Sequence, residues 1–139
     1  MTRVDFYFNA PSKYAVALKL VIKATGAGSR VLVYSRNSQV CRDVDAYFWE
    51  ASPFSFVPHV SCQHPLAVKT PIIIGDDAGQ LIERNVLINL DVGIPADCAR
   101  FERVLEIVSE NPEDRELSRS RYRYYKDNGF VLQTHDLKA

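Results

Sequence analysis

Short runs of β-branched and aliphatic residues recur along this chain with amphipathic helical stretches between them, and that alternation limits the possible folds more than any other feature. Val4, Phe6 and Phe8 occupy every second position of Val4–Phe8, the period of a strand. From Ser12, a predicted N-cap, the spacing becomes helical. Tyr14, Ala17, Leu18 and Val21 make one apolar stripe over Lys13–Ala24, while Lys13, Lys19 and Lys23 stay in water. Gly26–Ser29 breaks that helix, and RVLVYS at Arg30–Ser35 has the composition of a strand at a sheet centre. Ser38 is predicted to cap a second helix with Val40, Cys41, Val44, Tyr47 and Phe48 turned inward. Glu50–Thr70, with Pro53, Pro58 and Pro65, reads as irregular. Strands resume at Pro71–Ile74 and Val86–Leu90, with the turn-rich GDDAG between them. Pro95–Val108 fits two patterns, and a short helix over Pro95–Phe101 followed by a strand preserves the alternation. Such an order predicts one α/β domain over residues 1–139, a mostly parallel sheet with helices on both faces.

The 139 residues suffice for one core. No apolar run reaches the length of a membrane span, and MTRVDFYFNA lacks the layout of a signal peptide, so the expected location is cytoplasmic. Cys41, Cys62 and Cys98 are odd in number and far apart, as reduced thiols are. A formal net charge of zero argues against coating nucleic acid with the whole surface. Any electrostatic function must come from a local patch.

One such patch stands out. Pro112–Phe130, PEDRELSRSRYRYYKDNGF, holds Arg115, Arg119, Arg121, Arg123 and Lys126. Asn111 can cap this helix, Pro112 suits its first position, Glu113 and Asp114 match the positive dipole end, and Gly129 is placed to end it in a left-handed conformation. Steps of four, three and four put Arg115, Arg119, Tyr122 and Lys126 on one face, with Arg123 beside them. A cationic face with a ring in its middle suits an acidic peptide carrying an apolar anchor, or a nucleic-acid backbone; it is also compatible with a solvated charged face.

Catalytic chemistry is poorly represented. Gly26-Ala27-Gly28 follows a helix and precedes a strand, the reverse of the order that aims a helix N-terminus at a phosphate, and no GxxxxGK[ST] occurs. His59, Cys62 and His64 are close together, but only Cys98 or His135 is available as a distant partner, so no metal site is predicted. Asp76 and Asp77 read as a turn. No cofactor is expected. A second unusual segment, Tyr47–His59 (YFWEASPFSFVPH), sets Trp49 half a turn off the buried stripe, on the outer face with Arg42 and Asp45; Phe54 and Phe56 follow. Trp49 either packs beneath its own loop or anchors a partner.

Together these stretches resemble the chi subunits of the bacterial DNA polymerase III holoenzyme. The resemblance rests on DFYF, GSRVLVYS, DAYFWEASPFSFVPH, PIII, VLINL, FERVLEIV and RSRYRYYKDNGF, and most specifically on Trp49 through His59 and the Arg-x-Arg-Tyr-x3-Lys pattern from Arg119 to Lys126. It implies a Rossmann-like α/β domain without a nucleotide site or polymerase activity. The implied role joins the clamp-loader complex, through its psi subunit, to the acidic C-terminal tail of single-stranded-DNA-binding protein, with DNA met only indirectly. By resemblance the tail surface matches Arg119, Tyr122 and Arg123, with Arg115 and Lys126 on the same face. The psi surface matches Trp49 and Phe56. Direct binding of single strands by the basic face is the alternative, since arginine and tyrosine also suit phosphates and stacked bases.

Overall fold

The computed structural model describes residues 2–51, 59–61, 71–76, 85–95 and 98–138. Among the described residues seven strands form one sheet: β1 (Arg3–Ala10), β2 (Val31–Tyr34), β3 (His59–Ser61), β4 (Ile72–Gly75), β5 (Val86–Asn89), β6 (Arg103–Ser109) and β7 (Val131–Asp136). Their order across the sheet is β3-β4-β2-β5-β6-β1-β7 and every described pairing is parallel. The described α-helices are α1 (Lys13–Gly26), α2 (Ser38–Ala51) and α3 (Pro112–Asp127). The α/β reading holds.

Every residue of β2, β4 and β5 is buried, which is why these strands are continuous apolar runs rather than alternating ones: helices cover both faces. On one face Ala17, Leu18 and Val21 of α1 and Val44 and Phe48 of α2 pack on Val31, Val33, Ile72, Ile74 and Ile107. On the other, Tyr125 of α3 packs with Val4, Phe6, Leu32, Ile73, Leu87 and Val104. Ser12 caps α1 as expected, its Oγ accepting from the Ala15 N–H at 3.3 Å. The cap of α2 is a correction: Asn37, not Ser38, takes that role. Its Oδ1 accepts from the N–H groups of Gln39 (2.9 Å) and Val40 (3.3 Å), and Ser38 is already helical.

The ambiguous stretch resolves into a 3-10 turn at Cys98–Arg100 and then β6. Two strands were not expected. β3 lies inside the segment read as irregular, and β7 follows α3 to form the edge of the sheet beside β1. β7 is exposed along most of its length, so it carries no apolar run to announce it. Phe56, Cys62, His64 and Asp77 lie outside the described residues.

Candidate functional site

The cationic helix α3 is fixed at both ends by its own polar residues. Asn111 Oδ1 accepts from the Glu113 N–H at 2.8 Å, and Pro112 occupies the first turn, where a missing N–H costs nothing. Asp114 turns back to accept from the Ser109 N–H (2.8 Å) and from Lys13 Nζ (3.3 Å), which ties the start of α3 to the end of β6 and to α1. Burial alone would raise the Asp114 carboxyl, but the Ser109 amide and Lys13 overcome it and hold the group below its ordinary value. At the far end Gly129 takes φ +80°, the left-handed stop expected there.

The inner face of α3 is Ser118, Arg121 and Tyr125. Arg121, one of the cations counted in the basic stretch, is thus not on the surface: only 3% of its side chain is exposed. Its Nε donates to Glu106 Oε1 at 3.0 Å and its Nη1 to the Val92 carbonyl at 3.1 Å. Glu106, on the middle of β6, also accepts from Tyr125 (2.7 Å) and from Asn89 Nδ2 (2.9 Å). Burial pushes the Glu106 carboxyl up while Arg121 and the neutral donors pull it back. Burial and the adjacent Glu106 charge push the Tyr125 phenol up, so it remains a proton donor. This buried network sets how α3 sits on the sheet.

With Arg121 turned inward, the remaining cations lie along one flank. That flank borders an open groove of about 600 Å³ between α3 and the β1–β7 edge. Arg119, Tyr122, Arg123 and Lys126 line one wall; Phe8 of β1 and Thr134 of β7 line the other. Tyr122 is half-buried, its ring 5.3 Å from Phe6 at 61° in an edge-to-face contact that fixes its orientation. Arg119 meets Glu116 at 2.8 Å, with both side chains more than two-thirds exposed, a pairing too weak to lock the guanidinium away. Neither Arg123 nor Lys126 has an ion-pair partner among the described residues. Arg115 is exposed on the same flank but does not line the groove. Among the described residues lining it, Asp127 is the one carboxylate.

The groove therefore offers fixed positive charge around an aromatic floor, a binding chemistry. Sequence spacing found one wall. It missed Phe8, read only as the last apolar residue of the first strand, and Thr134, on a strand that was not predicted. Trp49 lies near the end of α2 with half of its surface exposed, as expected from its phase; Phe56, paired with it in the sequence reading, lies outside the described residues. Among the described residues no three His, Cys, Asp or Glu side chains are arranged to hold a metal ion, and no helix is long and apolar enough to cross a membrane.

Comparison with known proteins shows the family. The family described as DNA polymerase III chi subunit, HolC, matches residues 1–133. A DNA polymerase III subunit chi from Pseudomonas aeruginosa is 30% identical over 99% of this chain and 98% of its own length. Subunits of the same name from Haemophilus influenzae and Escherichia coli are 26% and 27% identical over 88% and 78% of the chain, covering 85% and 74% of their own lengths. This chain belongs to the DNA polymerase III chi subunit family.

Proposed function

We propose that this protein is a non-catalytic accessory subunit of DNA polymerase III whose α3 groove captures the acidic C-terminal tail of single-stranded-DNA-binding protein. Its Trp49–Phe56 segment docks the psi subunit of the clamp loader. The observation that carries the tail assignment is the grouping of Arg119, Tyr122, Arg123 and Lys126 around one groove closed by Phe8 and Thr134. An acidic tail is steered by the three cations. A terminal carboxylate can be gripped by both N–H groups of a guanidinium, and a terminal ring can be buried between Tyr122 and Phe8. Exposed charge pairs contribute little each, and ordering a flexible tail costs part of the gain. Micromolar affinity, on the order of −8 kcal/mol, is the expected balance. Weak contacts repeated along a coated strand keep a moving assembly attached.

Calorimetric titration with an acidic peptide ending in phenylalanine tests the assignment. Arg123→Ala and Tyr122→Ala should each weaken binding by about tenfold, the loss of one good contact. Arg115→Ala, outside the groove, should have a smaller effect. Full affinity in both groove variants would remove the tail from this site.

A further inference from the structure

The opposite face of the same sheet edge carries a second cationic and aromatic cluster. Along β1 and β7 the side chains alternate. Phe8 and Thr134 face the α3 groove, so their neighbours Tyr7 and His135 face the α1 side. There the Tyr7 and His135 rings stack at 4.6 Å with 14° between their planes. Tyr7 packs against the α1 core, whereas β7 is the last strand of the sheet and the His135 side chain is 42% exposed. Tyr7 covers one face of the imidazole, and the ring keeps part of its surface in solvent.

Cations surround this stack. Arg3 and Arg103 are side by side in register at the starts of β1 and β6. Both donate to Asp5 Oδ2 at 3.1 Å, and His135 Nε2 meets Asp5 Oδ1 at 3.0 Å. Asp5 is fully buried, so it orders these groups from below without presenting its own charge to solvent. More than a third of the Arg3 and Arg103 side chains remains exposed. Arg103 Nε is buried with no acceptor. The same side chain borders a crevice of about 110 Å³ that Lys23, Ser29 and Tyr7 also line. Arg103, Lys23 and Ser29 thus form the polar side of a crevice large enough for a phosphate group, whose other side is Leu20, Ala24, Ala27 and Leu105, next to the Tyr7–His135 ring stack.

We propose that this face binds single-stranded nucleic acid directly. One phosphate is held in the Arg103–Lys23–Ser29 crevice, a neighbouring one by Arg3, and an unpaired base continues the stack on His135. Charge complementarity selects a polyanion, and the partly exposed ring selects unpaired bases over a duplex, whose bases are already stacked. The α3 groove is left unoccupied by this contact, because it lies on the other side of the sheet.

Fluorescence anisotropy with a labelled oligothymidylate tests the proposal. Two phosphates, one met by Arg103 and Lys23 and one by Arg3, predict a slope of about −1.4 for log affinity against log salt, and Lys23→Glu should flatten it by about 0.7. His135→Ala should weaken binding about fivefold or more. Lys23 is exposed and does not touch Asp5, so its variant tests the surface even where His135→Ala loosens the cluster; thermal melting of each variant reports folding. Absence of salt-sensitive binding at low ionic strength overturns the proposal, as does full affinity in both variants. Equal affinity for a duplex of the same length overturns the stacking element. Displacement of the oligonucleotide by an acidic peptide that Lys23→Glu no longer binds would reassign the face to a protein partner and overturn it.

Discussion

Arg121→Met is the most demanding single test of the buried network beneath α3. Methionine keeps most of the stem but takes the guanidinium away from Glu106. The Glu106 side chain is 0% exposed and that of Arg121 is 3% exposed, so water screens neither charge. Two neutral donors would remain on the carboxylate, Tyr125 at 2.7 Å and Asn89 at 2.9 Å, and the Val92 carbonyl would lose its donor at 3.1 Å. Removing one member of such a pair costs about 3–5 kcal/mol. For a domain of this size that lowers Tm by roughly 10–20 °C. Part of the loss is recoverable by protonation. An acid whose folded pKa lies above its unfolded value contributes stability that is present below the unfolded pKa and lost as pH rises through the folded pKa. Burial already pushes Glu106 in that direction, and removing Arg121 pushes it further. The deficit of Arg121→Met relative to the parent should therefore shrink as the pH falls from about 7 toward about 5. The double variant Glu106→Leu/Arg121→Met should recover part of the loss, though not all, because Tyr125 then loses its acceptor and Asn89 keeps only the Gly93 carbonyl. Urea unfolding of the four species at both pH values gives the cycle. A single variant that loses less than about 1 kcal/mol, or a cycle without coupling, would refute the reasoning.

Three further outcomes follow from individual contacts. Asp5→Asn should destabilise the fold at neutral pH and flatten the acid limb of its stability curve. Burial tends to raise the Asp5 carboxyl, but His135, Arg103 and Arg3 together hold it below 3.8, so its contribution is present above that value and lost below it; an unchanged acid limb in a pH series of melting curves would contradict this. Gly129→Ala should cost about 1–2 kcal/mol from backbone strain alone, since φ is +80° and nothing lies within 4 Å of an added Cβ; chemical denaturation reads the cost, and a neutral result would show that the turn relaxes. Trp49, with half its surface exposed, should emit as a water-facing indole and shift to the blue when psi is added. Emission that does not move on binding would place psi elsewhere.

Much of this architecture is legible in the chain because parallel strands buried on both faces read as unbroken apolar runs, and helices advertise their ends. The strand runs in RVLVYS, PIII and VLINL, the Ser12 and Asn111 caps and the Gly129 stop were all visible, though Gly75, read as turn, ends β4. What stayed hidden depends on partners distant in sequence. Arg121 carries the same letter as Arg119 and Arg123, and only its spacing from Ser118 and Tyr125 marks it as inward; its partner Glu106 is on another element. A lone glutamate inside the apolar run VLEIV was a usable signal, because a buried carboxylate requires donors. β7 was missed for the opposite reason. An edge strand pairs on one side only and buries little, so its letters carry no period strong enough to read. The second wall of the groove went with it.

The same topology also accounts for where binding chemistry is found. In open α/β sheets ligands favour the crevice where adjacent strands send their connections to opposite faces. Here one such place lies between β2, which leads to α2 on one face, and β5, which leads to the Cys98–Arg100 turn on the other. The chain's own residues occupy it. The Arg36 N–H and Nε donate to Asp91 at 3.3 and 3.0 Å, tying the two loops together, and a Cβ on Gly93 would come within 3.0 Å of the Arg36 guanidinium. The first N–H groups of α2, the donors a phosphate would use, are taken by the Asn37 side chain. With that crevice satisfied internally, partly exposed cations and rings are found at the β1–β7 edge instead. Both faces of that edge carry them, the α3 groove on one side and the Tyr7–His135 stack on the other. An edge strand narrow enough to be overlooked in the sequence is what sets these two surfaces back to back.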